Sequence, residues 1–306
     1  FLSTGLTVDR TSAEADVRRM SFASADRRGL KRLLSRSLPE TFTYFNVGHS
    51  NVSQALFEAL SDHQGARIQV LVHDAIPLDY PEYQGPAAPA LFKVMFGRIA
   101  RFADQLVYPS TEAQRSVEAH LRRSGSVPPG VVCPIGLSHV RSDRPAEPDI
   151  DRPYFVALGT VEPRKNHTLL LDLWDGRYGP APDADLLIIG RRGWDRDGLF
   201  DRLDHHLPAR VKELSGQTDD VVTSILKGAT ALLQPCLAEG FGLPPVEALS
   251  LGTPVIASPL PVYHETLQGL AMLVDPDDPS AWRSAIGTAL QAPRPDLTGL
   301  EPPEWD

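Results

Sequence analysis

The sequence predicts an α/β protein built from two doubly wound, Rossmann-like domains. Three observations carry that expectation. Short apolar runs alternate with amphipathic stretches from Asp151 onward, the same rhythm recurs less regularly before it, and a polar, proline-rich segment lies between the two. Buried parallel strands read as near-continuous aliphatic runs, and each crossover between them needs about a dozen residues, so alternation on this scale means repeated βαβ units.

In the C-terminal half, strands are expected at Tyr154 to Leu158, Asp185 to Ile189, Thr230 to Gln234, Pro254 to Ala257 and Ala271 to Val274. Helical spacing falls at Thr168 to Trp174, Asp197 to His206, Asp219 to Lys227, Pro244 to Leu251 and Ser280 to Leu290. In the N-terminal half the strand candidates are Thr41 to Val47, Arg67 to Val72, Gln105 to Tyr108 and Val131 to Cys133. Its helix candidates are Ser53 to Leu60, Pro89 to Phe102 and Thr111 to Arg123. The stretch Ser142 to Pro153 offers little to bury, which is the composition of a linker. The expected domains are therefore residues 1–147 and 148–290, with 291–306 as a tail. Two such sheets are expected to face each other across a cleft, where the C-terminal strand ends bind ligands.

Of the 306 residues, 42% are apolar and 23% charged, which excludes a disordered or fibrous chain. Cys133 and Cys236 stand far apart without ligand-spaced neighbours, so neither a disulfide framework nor a zinc site is expected, and a reducing cytoplasm fits. No apolar run reaches the roughly 20 residues of a membrane span. Phe1-Leu2-Ser3-Thr4 does not start like a signal peptide, so no exported form is expected. The net charge of −9 is uneven: residues 1–140 hold 15 Lys and Arg against 13 Asp and Glu, and residues 141–306 hold 15 against 26. Arg18, Arg19, Arg27, Arg28, Lys31, Arg32 and Arg36 crowd one segment, readable as a solvated helix face or as a surface for lipid headgroups or a phosphorylated acceptor. The stretch Leu91 to Phe102 mixes aromatic and basic residues and has the same two readings, core packing with a basic edge or docking at a lipid surface. No nucleic-acid partner is expected.

The first chemical signal is Gly159-Thr160-Val161-Glu162-Pro163-Arg164-Lys165-Asn166, set between a strand and a helix. A glycine there lets backbone approach a ligand, and Arg164 and Lys165 bring a planar fork and a point charge, a pair suited to a diphosphate. An exposed basic turn is the plainer alternative. The second signal is Glu239-Gly240-Phe241-Gly242-Leu243-Pro244-Pro245-Val246-Glu247. Two glycines before a helix-starting proline leave backbone N–H groups at Gly242 and Leu243 free to face an anion, with Glu247 expected in the first turn. Gly190-Arg191-Arg192-Gly193-Trp194 follows the next strand, where Arg191 is placed to touch phosphate or base. Val72-His73-Asp74 ends a strand of the N-terminal half, and Ser110-Thr111 follows another, where a helix N-cap is an equally good account.

With these residues in view, the chain resembles glycosyltransferase family 4. The Glu239 to Glu247 spacing within EGFGLPPVEAL and the upstream GTVEPRKN carry the likeness, which extends from about Asn46 to Asp278. The resemblance implies the GT-B fold and a retaining transferase that moves a hexose from a nucleotide-diphosphate sugar, GDP- or dTDP/UDP-linked, to a saccharide or lipid-linked acceptor. The spellings are similar to those of bacterial mannosyl- and rhamnosyltransferases of surface polysaccharide synthesis. By that likeness Glu239 binds hydroxyls of the transferred sugar, Glu247 holds the donor ribose, and Arg164 and Lys165 neutralise the leaving diphosphate. The donor cradle is completed by Gly159, Thr160, Gly190, Arg191, Leu214 and the Gly240-Phe241-Gly242-Leu243 backbone. His73, Asp74 and Ser110 fall on the acceptor side, with His73 also among the catalytic residues. Pro134-Ile135-Gly136 resembles the family's Pro-Asn-Gly turn with Asn replaced.

No cofactor and no metal is implied. The Asp-x-Asp spellings at Asp149, Asp183 and Asp195 precede strands or open a helix, and Asp275-Pro276-Asp277 makes a turn. A cytoplasmic enzyme at the inner face of the membrane, with peripheral contact, is expected. Other readings are a nucleotide-sugar epimerase, a phosphorylase without a recognisable pyridoxal lysine, and a non-catalytic sugar-binding scaffold. The last is expected to lack one of the two glutamates or the basic pair, and all four are present. Residues 1–40 show no first strand with its glycine-rich turn, and Pro302 to Asp306 resembles the start of the family's crossover helix; both ends are expected to be incomplete.

Overall fold

The computed structural model describes residues 25–48, 52–137 and 152–292. The chain divides into two compact units at Pro134 and Ile135. The expected boundary at residues 147 and 148 lies outside the described residues, as do Arg18, Arg19, Asp149 and most of the linker and tail.

The first unit runs α1 (Leu30–Ser37), β1 (Phe42–Asn46), α2 (Gln54–Ser61), β2 (Ala66–Leu71), α3 (Ile76–Asp79), α4 (Ala88–Phe102), β3 (Gln105–Tyr108), α5 (Thr111–Ser124) and β4 (Gly130–Val132). Its strands are all parallel and lie side by side in chain order, β1-β2-β3-β4. Right-handed crossovers that always step the same way put every connecting helix on one face. The core shows this: Ile68, Val70, Leu106 and Tyr108 turn inward to Phe57 of α2, Met95, Phe96 and Ile99 of α4, and Val117 and Leu121 of α5. α3 is an element that the sequence did not announce, whereas α1 carries Lys31, Arg32 and Arg36, exposed, in the segment readable as a solvated helix face.

The second unit runs β5 (Tyr154–Leu158), α6 (His167–Trp174), β6 (Asp185–Ile189), α7 (Leu199–His205), β7 (Val211–Leu214), α8 (Asp219–Gly228), β8 (Ala231–Gln234), α9 (Leu243–Ser250), β9 (Val255–Ala257), α10 (Pro261–Thr266), β10 (Met272–Leu273) and α11 (Pro279–Gln291). The parallel sheet has the order β10-β9-β8-β5-β6-β7. From β5 the chain steps outward through β6 to β7, then returns past β5 to β8 and steps the other way. Helices therefore cover both faces. Phe155 and Ala157 enter one core with Leu170 of α6, Leu203 of α7 and Trp282 of α11, whereas Tyr154 and Val156 enter a second with Ile225 of α8, Val246 of α9 and Tyr263 of α10. Period-two alternation of side chains sends successive residues of one strand into opposite cores.

Most ends shift by a residue or two, and three differences bear on the site. α7 starts at Leu199 rather than Asp197, because the Asp195 carboxylate accepts the backbone N–H groups of Asp197, Leu199 and Phe200 at 3.0–3.2 Å and Gly198 turns left-handed ahead of the helix. β7 was not foreseen, being a short edge strand, Val-Lys-Glu-Leu, with mixed exposure. α9 begins at Leu243, so Glu247 is its fifth residue and sits in the second turn rather than the first.

Candidate functional site

The strand order of the second unit reverses between β5 and β8, and the loops leaving those two strands diverge there, which leaves room above the sheet for side chains and ligand. Both chemical motifs leave the sheet at this point. After β5, Gly159 (φ 136°) turns the chain, and a Cβ there would lie 3.3 Å from the Lys165 ammonium. Pro163–Lys165 forms a single 3-10 turn, and Asn166 in the left-handed region ends it and starts α6. After β8, Leu237 donates its N–H to the Arg164 carbonyl at 2.8 Å, which ties the two loops backbone to backbone.

The side chains then converge. Lys165 Nζ bonds Glu239 Oε1, Arg164 Nη1 reaches Glu239 Oε2 at 3.0 Å and the Ala238 carbonyl at 3.0 Å, and Arg164 Nε pairs with Glu162 Oε1 at 2.5 Å. Lys165 and Glu239 are nearly excluded from solvent, with side-chain exposures of 7% and 10%. Burial opposes ionisation of Glu239, yet Lys165 and Arg164 outweigh it and hold its pKa down at about 2. Burial likewise opposes the Lys165 charge, and the Glu239 carboxylate overcomes it, so its pKa is raised. Each charge is stabilised only by its partners, so removing one leaves the others stranded in a low-dielectric site. Glu162, two residues before Arg164 in the same turn, was not among the expected site residues; beside Glu239 it is a second carboxylate for Arg164 and Lys165 and makes this cluster neutral.

Beneath Glu239 lies a layer that sequence reasoning missed. Gln234 Nε2 donates to the Leu158 carbonyl at 2.8 Å and so joins β8 to β5. Its Oε1 accepts from Cys236 Sγ at 3.0 Å, and that thiol is 3.7 Å from Glu239 Oε1. Burial pushes the Cys236 pKa up to about 11, so the thiol is neutral and serves as a weak donor. His167, behind Lys165, is fully buried, and burial with the neighbouring ammonium lowers its pKa to about 3. His167 Nδ1, Trp194 Nε1, Ser258 Oγ and the Tyr263 hydroxyl are buried without a hydrogen-bond partner, and all four residues follow C-terminal strand ends of this sheet. The Tyr263 hydroxyl faces the Cys236 thiol without reaching hydrogen-bond geometry. A lone cysteine and a tyrosine 24 residues beyond Glu239 carry no motif, so only the fold could bring them here.

The remaining donor-side residues fall around the same sheet end. Gly242 is left-handed (φ 86°), and a Cβ on it would strike the Tyr263 ring at 2.4 Å, so only glycine fits before α9. Phe241 and Gly242 are buried and Gly240 and Leu243 half-buried, so the loop is packed down against the sheet end ahead of α9. Gly190 donates its N–H to the Leu214 carbonyl at 3.3 Å, joining the ends of β6 and β7. Thr160 and Arg191 are exposed, while Arg192 is committed to Glu213 and Asp204. Glu247 keeps different company from Glu239: burial, with the Asp219 carboxylate, raises its pKa to about 7.

In the first unit, His73 Nε2 lies 3.0 Å from the Val47 carbonyl and Asp74 Oδ1 accepts from Ile76 N at 3.0 Å, a turn that leads into α3. Ser110 is fully buried and its Oγ accepts from Ala113 N at 3.0 Å, capping α5. Asp275 Oδ1 accepts from Asp277 N at 2.9 Å, the turn expected there.

A doubly wound parallel sheet that gathers basic and acidic side chains at its switch point belongs to the class of α/β proteins that bind ligands beyond the C-terminal ends of their strands. Within it, the description "Glycosyl transferases group 1" matches residues 141–297, and the chain belongs to that family. It is 29% identical over 240 residues to the serotype-specific mannosyltransferase WbdA of Escherichia coli, covering 72% of this chain and 29% of that protein. It is 28% identical over 227 residues to the O-antigen chain mannosyltransferase RfbU of Salmonella typhimurium, covering 73% of this chain and 61% of that one. The chain thus spans less than a third of the first relative and about three-fifths of the second. Among solved structures it resembles a trehalose-6-phosphate synthase studied for glycosyl transfer with retention, with a TM-score of 0.65 at 13% identity over 94% of this chain and 73% of that one. The fold is GT-B. No helix among the described residues is long and apolar enough to cross a membrane.

Proposed function

We propose that this chain is a retaining hexosyltransferase that moves a sugar from a nucleotide diphosphate, GDP- or dTDP/UDP-linked, to a saccharide or lipid-linked acceptor in surface-glycan synthesis. The observation that carries this reading is the meeting of Arg164, Lys165 and Glu239 at the switch point of the second sheet. The mannosyltransferase relatives support the hexose and the glycan, and the trehalose-6-phosphate synthase likeness supports retention.

Breaking the sugar–phosphate bond builds negative charge on the departing diphosphate, so stabilising that charge is the largest service a protein can offer. Because Glu162 and Glu239 already neutralise the two cations, excess positive charge does not draw the donor in. Instead, Arg164 and Lys165 exchange part of their carboxylate contact for phosphate oxygens while the N–H groups of Gly242 and Leu243 face the same anion. Glu239, released in part, accepts from hydroxyls of the transferred sugar, and Glu247 accepts from the ribose. The four buried polar atoms without partners are the kind of demand that a polar ligand or its waters satisfy. Transfer proceeds by front-face attack, the diphosphate oxygen taking the acceptor proton, with no metal and no cofactor. His73 and Asp74 serve acceptor recognition, whereas Ser110, fully buried and capping α5, holds the loop after β3 in shape rather than touching the acceptor; the enzyme works in the cytoplasm in peripheral contact with the inner membrane surface.

A thermal-shift series against nucleotide diphosphates and their sugars tests the reading. One donor should raise Tm by an amount that grows with its concentration over Kd, and Lys165→Ala should abolish the rise. Turnover of folded Lys165→Ala should fall more than about tenfold. A chain that responds to no nucleotide sugar refutes the proposal, and a covalent sugar adduct on Glu239 refutes the front-face route.

A further inference from the structure

We propose that Cys236 and Tyr263 are positioning residues for Glu239. The Cys236 thiol turns its hydrogen from Gln234 to Glu239 as Lys165 moves from that carboxylate towards the diphosphate, and the Tyr263 hydroxyl then donates to the sulfur. The inference rests on the transferase reading and says how Glu239 keeps its place while its cation is engaged elsewhere. A thiol carries one hydrogen, and Cys236 has two acceptors within reach. Its Sγ lies 3.0 Å from Gln234 Oε1 and 3.7 Å from Glu239 Oε1, so the hydrogen rests on Gln234. The more distant acceptor is the oxygen that Lys165 Nζ already holds. Glu239 Oε1 is therefore filled now and vacated when Lys165 moves. Gln234 can release the thiol, because its Nε2 stays anchored on the Leu158 carbonyl at 2.8 Å. Glu239 has less freedom: its side chain is 10% exposed, and a buried carboxylate oxygen without a donor costs more than an amide oxygen in the same state.

Tyr263 is the second observation. It sits on α10 at 1% exposure, and its hydroxyl faces the thiol with no hydrogen-bond partner of its own. Its ring lies hard against the Gly242 turn ahead of α9, since a Cβ on Gly242 would strike the ring at 2.4 Å. Phenylalanine would support that turn equally well and would spare the cost of burying an unpaired hydroxyl. The hydroxyl is accounted for if it gains its partner during the reaction. A sulfur accepts poorly while its hydrogen rests on a neutral amide. It accepts better once that hydrogen is shared with a carboxylate, because linked hydrogen bonds polarise one another. Neither group ionises on the way: burial pushes the Cys236 pKa up to about 11 and holds Tyr263 well above the usual tyrosine range, so both keep the hydrogen they donate.

Infrared spectroscopy and kinetics test the pair separately. In a Cys133→Ser background the S–H stretching band belongs to Cys236 alone. Adding Lys165→Ala frees Glu239 Oε1 without any ligand, so the band should move to lower frequency, and Tyr263→Phe should reduce that movement. Kinetics with the nucleotide sugar that stabilises the protein then separate positioning from packing. Tyr263→Phe removes only the unpaired hydroxyl, so Tm should hold or rise while kcat falls about threefold and donor KM stays within about twofold. Cys236→Ala should lower kcat about fivefold, and Cys236→Ser, which keeps a donor, should recover most of that loss. A band that stays in place in Lys165→Ala, a Cys236→Ser no faster than Cys236→Ala, or a Tyr263→Phe that loses Tm and keeps kcat would each overturn the proposal. If no nucleotide sugar stabilises the wild-type chain and the band still moves, the transferase reading falls and the turning of the thiol stands.

Discussion

On β5, Tyr154 and Val156 enter one core while Phe155 and Ala157 enter another, whereas on β1 of the first unit Phe45 turns away from the core built with the described helices, at 47% exposure. The central strands of the second unit are buried on both faces. Those of the first alternate: Ile68 and Val70 are inside, and Gln69 and Leu71, on the side away from the described helices, are half-buried. The difference comes from chain order. A sheet laid down in one direction gathers its crossovers on one side, whereas a sheet that reverses collects helices on both and acquires a switch point. Among the described strands only the second sheet has one, and Arg164, Lys165 and Glu239 meet there.

If two-sided burial is what separates the sheets, the largest effect should come from a β5 side chain. Phe155 is fully buried with the Trp174 ring 6.0 Å away, so Phe155→Ala should cost about 3 to 5 kcal/mol by lost transfer energy and a cavity, measured by urea unfolding. A cost under about 1 kcal/mol would mean that the two faces are less tightly filled than they look.

The charged cluster should come next. Glu239→Gln keeps the shape but strands Lys165, for an expected loss of about 3 kcal/mol at neutral pH. The pH dependence fixes the cause. The Glu239 pKa is depressed from 4.5 to about 2, so its contribution is whole above pH 4.5 and disappears as pH falls towards 2. Its loss should flatten the stability profile of Glu239→Gln over that window relative to wild type. His167, whose pKa falls from 6.5 to about 3, contributes a separate acid-sensitive step that both proteins share.

The same contrast explains what could be read in advance. Tyr154–Leu158, Asp185–Ile189 and Gln105–Tyr108 match the expected strands end for end, because a run apolar on consecutive positions, or strictly alternating, has only one good fold. β7 escaped because Val211 alone of its four residues is buried, and α10 because six residues hold too little periodicity. In the site, Arg164, Lys165 and Glu239 were legible as motif residues. Their mutual pairing, the balancing Glu162 and the Gln234-Cys236 layer were not, since those depend on which loops the strand order brings together. The placement of Glu247 in the second turn follows from a helix start one residue earlier than Pro244, a shift that spacing cannot resolve.

A smaller effect tests whether Glu247 works apart from that cluster. Burial and Asp219 raise its pKa from 4.5 to about 7, so the folded state holds a proton that the unfolded state has lost. Stability should therefore fall as pH rises from 4.5 to about 7, and Glu247→Gln should lack that slope. If the ionised carboxylate accepts ribose hydroxyls, donor KM should decrease as pH rises through about 7 in wild type and not in Glu247→Gln. A donor KM insensitive to pH in both would detach Glu247 from the ligand while leaving the Arg164-Lys165-Glu239 cluster untouched.

The smallest effect belongs to the face of the first sheet that the described helices leave uncovered. Phe45→Thr keeps a side chain suited to a strand on β1 and removes a ring that is already half in water, so its unfolding free energy should stay within about 0.5 kcal/mol of wild type. Set beside Phe155→Ala, one aromatic on a strand then costs several times more than another, and the ratio measures what a second layer of helices adds. A loss of 2 kcal/mol or more at Phe45, about what burying a large apolar side chain is worth, would show that this face is covered in solution and that the first sheet is two-sided after all.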